Sequence, residues 1–461
     1  MADIRPFRAL RYDLERVDPA QVVTQPYDKI TPAMQERYYD ASPYNLIRII
    51  LGRREAEDNT ARNVYTRAAA SAAEWRREGI LRQDAAPSVY AYSQTFRAPG
   101  VGGGGQTFER RGLIALGRLE DYSAGVIFRH EQTLAKPKAD RLELLRATRA
   151  HYEQLFLLYE DAGEIDSLLR PEMSGAPTID VTDEYGVAHR VWQISDAAVI
   201  AALREKMRDK KLVIADGHHR YETALNFRDE CREKSSLLAK PARSGAPGGG
   251  NSSAEAEAAH EFVMMTLVNM NDAGLLVLPT HRVVHSLRAF SVEDFQNACR
   301  NYFAVEEIDP ALDETQARAL LRERGRTGTA LLGATATRAF LFHSPIHSPK
   351  HSPKPAESPL LAGLSERQRA LDVVQLHKCL LEGVLKLSEE SIRNQQNLSY
   401  VREASEALGL VRGGKADIAF LMNPCPVSAV RDVALAGEVM PQKSTDFYPK
   451  LLSGLTAYAL D

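Results

Sequence analysis

The sequence predicts an α+β fold built on mixed sheets. Three observations carry that expectation. Segments with apolar residues at helical spacing alternate with short β-branched and aromatic runs bounded by Gly, Pro, Asn and Asp. The 461 residues are 44% hydrophobic, enough for at least one large core and, by length, two domains. One short apolar run, Lys211-Leu-Val-Ile-Ala-Asp216-Gly217, meets a turn and then a helical pattern, which reads as strand, tight turn, helix.

In chain order, the run Asn45-Leu-Ile-Arg-Ile-Ile-Leu51 reads as a strand and 59–78 as a helix. Strands at 88–96 and 113–119 flank the glycine-rich stretch 98–105, an expected hairpin tip. A helix at 137–153 is followed by strands at 154–159 and 189–194, a helix at 197–209 and a strand at 212–215. Further strands are expected at 262–270, 335–342 and 417–422. Further helices are expected at 292–302, 314–325, 370–387 and 401–408. Residues 234–260 are rich in Ser, Ala, Gly and Pro and read as a mobile insert. Residues 343–359 repeat His-Ser-Pro and Lys-Pro and read as a disordered loop. The expected division is an α/β domain over 1–285, carrying that insert, and a second over 286–461, whose end returns to the active cleft.

Fifty-eight Lys and Arg against 61 Asp and Glu leave a net charge of −3, so the composition offers no general footprint for nucleic acid or a membrane surface. No segment reads as a signal peptide or a membrane span, and the four scattered cysteines read as reduced thiols. The expectation is a cytoplasmic protein, with homo-oligomerisation left open.

The densest chemistry is Asp216-Gly217-His218-His219-Arg220-Tyr221. Asp216 would end the strand, with the histidines in the first helical turn. A helix N-terminus attracts anions, Arg220 adds a forked cation, and Asp216 can act as a base or hold a metal. A capping aspartate with surface histidines is the plainer alternative. His130-Glu131-Gln-Thr-Leu-Ala-Lys136-Pro-Lys138-Ala-Asp-Arg141 places three cations beside an imidazole and two carboxylates. Lys136, Lys138 and Arg141 can neutralise phosphates, and His130 and Glu131 can relay protons or coordinate a cation. A solvated helix face explains the same residues.

Three further groups sit beside apolar runs. Tyr27 and Asp28 follow Val22-Val23, and Thr280-His281-Arg282 follows Leu275-Leu278. Lys443-Ser444-Thr445 offers a lysine with two hydroxyls that can clamp an oxyanion or cap a terminal helix over 448–460. The glycines of a phosphate-binding P-loop are absent there.

Six segments (Pro-Tyr-Asp, His-Glu-Gln-Thr, Pro-Lys-Ala-Asp-Arg, Ala-Asp-Gly-His-His-Arg-Tyr-Glu-Thr, Leu-Pro-Thr-His-Arg and Met-Pro-Gln-Lys-Ser-Thr) occur in that order between Arg5 and Leu455. In this the chain resembles the prokaryotic family called domain of unknown function 1015, which implies no settled activity. The Asp-Gly-His-His-Arg element is also similar to the nucleotide-binding motif of the ParB and sulfiredoxin superfamily, which includes free-serine kinases. That resemblance implies a ParB/sulfiredoxin-like element with phosphate contacts from Gly217, His218, His219 and Arg220, and Asp216 as base or magnesium ligand. The turn lacks the cysteine that sulfiredoxin uses.

The resulting expectation is a phosphotransferase using ATP or ADP and Mg²⁺ on a hydroxyl metabolite, free serine among the candidates. Asp216 and Glu131 would hold metal. Tyr27, Asp28, Thr280, His281, Arg282, Lys443, Ser444 and Thr445 would face the acceptor. The competing expectations are a phosphatase or nucleotide hydrolase using the same cationic pocket, and a non-catalytic nucleotide-binding regulator. One cleft is expected to gather the Asp216 turn, residues 130–141 and the Lys443–Ser444 turn.

Overall fold

The computed structural model describes residues 1–99, 105–133, 135–238, 257–345 and 358–461. The tip of the 98–105 stretch, most of the 234–260 segment and most of the 343–359 tract lie outside the described residues. The architecture is α+β, with mixed sheets. It divides into two units: residues Met1–Phe128, Thr133–Leu275 and Pro449–Asp461 form one, and Arg129–Gln132 with Leu276–Tyr448 form the other.

The first unit is organised by a nine-stranded sheet. Its strands run in the order Ile127–Phe128, Leu212–Asp216, Leu155–Tyr159, Phe262–Asn269, Thr107–Arg118, Val89–Arg97, Ala188–Ile194 and Ile179–Thr182. Ile4–Arg5 pairs on Thr107–Arg118. Two of the pairings are parallel, Leu212–Asp216 on Ile127–Phe128 and Leu155–Tyr159 on Phe262–Asn269, and the other pairings in the sheet are antiparallel. The central strands are apolar in almost every position because both sheet faces are covered. On one face, Leu212, Ile214, Leu155 and Leu157 pack with Tyr221 and Leu225 of the helix His218–Leu238 and Leu203 and Met207 of Ala197–Met207. Across the other face runs the last stretch of chain, where Gln94 Nε2 donates to the Lys450 carbonyl at 2.8 Å and Thr456 Oγ1 lies 3.2 Å from Met264 Sδ.

A second, smaller core in the same unit gathers Leu46, Ile49, Ile50, Ala68, Trp75 and Leu144. Residues 45–51 are not the strand their β-branched run suggests. Asn45 Oδ1 accepts from Ile47 N at 3.0 Å and its amide donates to the Gln21 carbonyl at 2.7 Å, which starts the short helix Ile47–Ile50. An all-apolar run reads the same for a buried helical turn as for a strand.

The second unit has a six-stranded sheet in the order Ala304–Ile308, Ala339–Pro345, Gly328–Ala334, Ile418–Met422, His281–Val284 and Leu398–Val401. All its pairings are antiparallel. One face carries Leu332, Leu421 and Val283 against Ala317 and Leu321 of the helix Glu314–Gly325. Aromatic rings fill the other, with Phe295 edge-on to Phe342 at 5.9 Å and Phe303 6.1 Å from Phe342.

Five further segments depart from expectation. Residues 401–408 divide into the strand Leu398–Val401 and the helix Ala404–Arg412. The 335–342 strand is the second arm of a hairpin whose first arm, Gly328–Ala334, was not foreseen. Residues 370–387 hold a short helix, Asp372–Gln375, that widens into π-helix over Leu376–Val384. No helix forms over 448–460: Asp446–Tyr448 pairs with Leu276–Leu278, and Tyr458–Ala459 pairs with Ala150–His151. Pro449 and Gly454, at φ +102°, suit extended and turning chain there. The helix His218–Leu238 runs on into the stretch read as an insert, and Ala259–Glu261 closes its far end as a 3-10 turn.

Gly274 sits where the backbone of the neighbouring strand leaves no room. A Cβ there would overlap the Glu109 carbonyl and lie 2.7 Å from Arg110 N. Gly274→Ala should therefore cost about 1–3 kcal/mol, since backbone on both sides must move. Urea unfolding of the purified variant measures it, and an unchanged midpoint would show that the Asp272–Gly274 turn yields without strain.

Candidate functional site

In the first unit, the Asp216 turn is shaped by a local irregularity in the strand. Ile214 pairs with Leu157 and Asp216 with Phe156, so two residues on one strand oppose one on the other at Ala215. Strict alternation would put Asp216 on the same face as Leu212 and Ile214, inside the apolar cluster. The bulge re-aims it. Gly217 follows at φ +94°, and a Cβ there would come within 2.9 Å of Leu155 Cδ2 and 3.2 Å of the Arg220 guanidinium. Both the left-handed backbone and the crowding call for glycine. The 21-residue helix His218–Leu238 begins directly after it, as the sequence pattern implied.

Asp216 is surrounded by cations. Lys450 Nζ donates to Oδ2 at 2.8 Å, and Arg220 Nη2 lies 3.6 Å from Oδ1. Burial raises the proton affinity of this carboxyl, but Lys450, Arg220 and Lys29 together overcome it and hold the group well below the usual carboxylate range. Arg220 also donates through Nη1 to the Gln154 carbonyl at 2.5 Å in distance. It is stabilised in its charged form, against its own burial, by Glu153, Asp216 and Asp28.

The cluster extends to two other motifs of the sequence. Arg141 lies 4.2 Å over the ring of Tyr27, donates to the Ile50 carbonyl at 2.6 Å and sits 3.8 Å from Glu153. Glu153 Oε1 accepts from the Tyr27 backbone N–H at 3.0 Å. Arg141, Glu153, Arg220 and Thr223 line one small cavity of about 50 Å³. Burial, followed by Asp28 and Glu153, raises the Tyr27 hydroxyl far above its ordinary range, so it stays protonated and can donate. Arg141 Nη2 also donates to Asp140 Oδ2 at 2.6 Å, so Lys29, Arg141, Arg220 and Lys450 lie among Asp28, Asp140, Glu153 and Asp216. Close by, Lys138 Nζ and Thr133 Oγ1 both reach Glu222 Oε2, at 2.8 and 2.6 Å. The side chain of Lys136 lies outside the described residues.

The remaining motif residues belong to the second unit, where they form a clamp on one loop. Met440 N donates to the His130 carbonyl at 2.8 Å, Glu131 bridges Met440, and His130 Nε2 lies 2.9 Å from Thr445 Oγ1. Arg282, fully buried, donates to the carbonyl of Thr280 and, through Nη2, to those of Gln442 at 3.4 Å and Lys443 at 3.0 Å. Ser444 Oγ donates to the Pro441 carbonyl at 2.5 Å. His281 is buried in the sheet; burial, with Arg318 and Arg282 nearby, pushes its imidazole down to about 3. Among the described residues no group of three or more His, Cys, Asp or Glu is placed to hold a metal ion, all four cysteines are free thiols, and no helix is long and apolar enough to cross a membrane.

Sequence reasoning did not single out Lys450 or Glu153. Lys450 follows Tyr448-Pro449 at the end of the Met-Pro-Gln-Lys-Ser-Thr segment, and Glu153 opens the run into the strand Leu155–Tyr159. Their adjacency to conspicuous motifs was the available signal.

A family model described as protein of unknown function (DUF1015) matches residues 4–373. The chain belongs to this family. The DUF1015 match includes the Asp216 turn and stops short of Lys450, which lies in the C-terminal remainder. No curated protein matches the chain. Solved structures similar to it include a conserved hypothetical protein from Pyrococcus furiosus, at 13% identity over 70% of this chain and 88% of that one, with a TM-score of 0.32. A free serine kinase in complex with AMP is similar at 13% identity, over 70% and 83% of the two chains, with a TM-score of 0.31. SbnI from Staphylococcus aureus, truncated at its C-terminus, is similar at 10% identity, over 74% and 85%, with a TM-score of 0.32.

The Lys450 pairing makes a pH-dependent prediction. Lys450→Met leaves half-buried Asp216 with Arg220 and Lys29 and should cost about 1–3 kcal/mol near neutral pH, less than the loss of a sole partner. Because the folded-state affinity of Asp216 for protons is depressed, the pair's contribution is complete above about pH 4–5 and declines as pH falls toward the folded value. The gap between wild type and variant should therefore narrow on acidification. Urea midpoints at neutral and acid pH test this, and an equal gap at both would remove Asp216 from the account.

Proposed function

We propose that this protein is a nucleotide-dependent phosphotransferase whose phosphate-binding element is the Gly217 turn and the first turn of the helix His218–Leu238. One observation carries the reading: a bulged strand ends in Asp216, a left-handed glycine follows, and a 21-residue helix begins with Arg220 and Lys450 beside the carboxylate. The helix dipole and the cations Arg220 and Lys450 favour a bound anion. The likeness of this element to the ParB and sulfiredoxin motif agrees with that chemistry.

In this reading Gly217 lets the backbone approach a phosphate, and His218, His219 and Arg220 contact it. Lys138 and Arg141 extend the positive surface. Asp216, kept anionic by Lys450, accepts the hydrogen bond of an acceptor hydroxyl and takes its proton as the new P–O bond forms; the phosphoryl group leaves the nucleotide. A small hydroxyl metabolite such as free serine is the acceptor. The residues present do not suit a resident Mg²⁺. Asp216 already faces Lys450 and Arg220, and cations at both oxygens oppose a third. Magnesium is accordingly assigned to the incoming nucleotide, whose phosphates hold it.

Calorimetric titration with ATP, ADP and CTP, with and without Mg²⁺, should show binding of at least one nucleotide. Arg220→Ala should weaken it by about 1.5–3 kcal/mol, the worth of a charge-assisted contact. Asp216→Asn should reduce turnover far more than affinity. Absence of binding by every nucleotide would dispose of the proposal, and phosphate release without a phosphorylated metabolite would convert it to a hydrolase.

A further inference from the structure

One cavity lies wholly within the second unit and shares no residue with the Asp216 cluster. It holds about 280 Å³, slightly less than the roughly 300–1,000 Å³ of sites that take drug-sized ligands, so it suits a smaller metabolite. Its walls are mainly apolar, from Leu364, Val374, Ile392, Val439 and Met440, with Tyr400 among them.

Two segments of unusual backbone meet at this cavity. His377, Lys378 and Glu382 come from the π-helix Leu376–Val384, in which Leu385 N bonds the Leu380 carbonyl at 2.9 Å. π-Helical turns are rare and concentrate where side chains must be re-aimed for a purpose. Met440, Pro441 and Gln442 come from a turn that ends in Lys443 at φ +57°, a conformation that costs a non-glycine residue free energy. Buried Arg282 holds that turn through the carbonyls of Gln442 and Lys443, and Gln368 Nε2 holds the Val439 carbonyl at 2.9 Å. The apolar wall is thus fixed from behind.

The charges at the cavity are balanced. Lys378 pairs with Glu382 at 2.9 Å, and Arg393 with Glu389 at 3.0 Å. A polyanion entering here would meet as many carboxylates as cations. A ligand with one charge of each sign instead matches a lysine and a glutamate that stand side by side. Partly exposed i,i+4 pairs are worth only about 0–1 kcal/mol, so either can open to receive ligand charges at little cost.

We infer that this cavity is a binding site for a free amino acid with an apolar side chain. The ligand's carboxylate takes Lys378, its ammonium takes Glu382, and its side chain lies along Val374, Ile392 and Met440 beside Tyr400. The site is independent of the phosphotransferase reading and does not need a nucleotide.

Full-length protein is titrated calorimetrically with L-leucine, L-methionine and L-phenylalanine at millimolar concentrations, and with their N-acetyl and amide derivatives. At least one free amino acid should bind, and blocking either end should weaken it by about tenfold or more, the worth of a charge-assisted contact. L-serine should bind at least about tenfold more weakly than L-leucine, because it lacks the buried methyl groups. Lys378→Met should abolish the preference for a free carboxylate. Glu382→Gln, which keeps the side-chain shape, should abolish the preference for a free ammonium even if the first variant folds poorly. No binding by any of the three amino acids would overturn the inference. So would binding that blocked derivatives share, or that both variants retain unchanged.

Discussion

A carboxylate drawn mostly out of water has to be neutralised where it stands, and in the first unit Asp216, its side chain 20% exposed, is one of these. The bulge at Ala215 removes it from the apolar face of the sheet, and it then needs a cation that its own helix supplies only partly, through Arg220 at 3.6 Å. The closer partner, Lys450, lies 234 residues away in sequence. Bringing it there obliges the last stretch of chain to cross the sheet. Gln94 and Arg110 receive that stretch by its carbonyls, Arg110 donating to Pro449 O at 2.6 Å, and the backbone of Thr24 pairs with Ser453. The ordering of Pro449–Asp461 and the charge state of Asp216 are therefore one problem with one solution.

Both units solve a similar problem with a buried arginine. Arg110 in the first and Arg282 in the second are almost completely shielded from water, and burial pushes each down to about 10. Both remain cationic near neutral pH. Each directs its guanidinium at carbonyl oxygens of a late-sequence loop, Pro449 for Arg110 and Gln442 and Lys443 for Arg282. A planar fork with five donors can satisfy several acceptors at once, which a lysine ammonium cannot do in the same plane. Two sheets of different topology have arrived at the same means of fastening a loop that carries no regular structure of its own.

Local pattern was legible where a local cause decided the structure. The helix Glu314–Gly325 was readable to the residue because Asp313 and Gln316 form a reciprocal cap at its start. The strand Leu212–Asp216, the glycine turn and the helix after it were readable because Gly217 permits a backbone that few residues tolerate. Legibility failed where the cause lay elsewhere in the chain. Asn45 turns an apolar run into a helix by bonding Gln21, and 449–461 stays extended because the sheet face and Ala150–His151 are there to receive it. Lys450 could not be assigned to Asp216 from periodicity, since the pairing has no period. The α+β class survived these failures because class depends on the balance of patterns and not on any one boundary.

Cation, hydroxyl and imidazole recur in motifs of both units. Phosphate oxygens and buried carbonyl oxygens ask for the same donors, so a sequence rich in Lys, Arg, His, Ser and Thr beside apolar runs signals oxygen to be satisfied without saying whose. In the second unit the oxygen is the protein's own: Arg282 and His130 hold the loop through its backbone and through Thr445. Around Asp216 the cations answer the protein's own carboxylates, Lys450 and Arg220 at Asp216 and Arg141 at Asp140, beside the start of the helix His218–Leu238, whose dipole favours negative charge. Residue type alone therefore does not separate an anion site from a fastening; the partners of each cation have to be known.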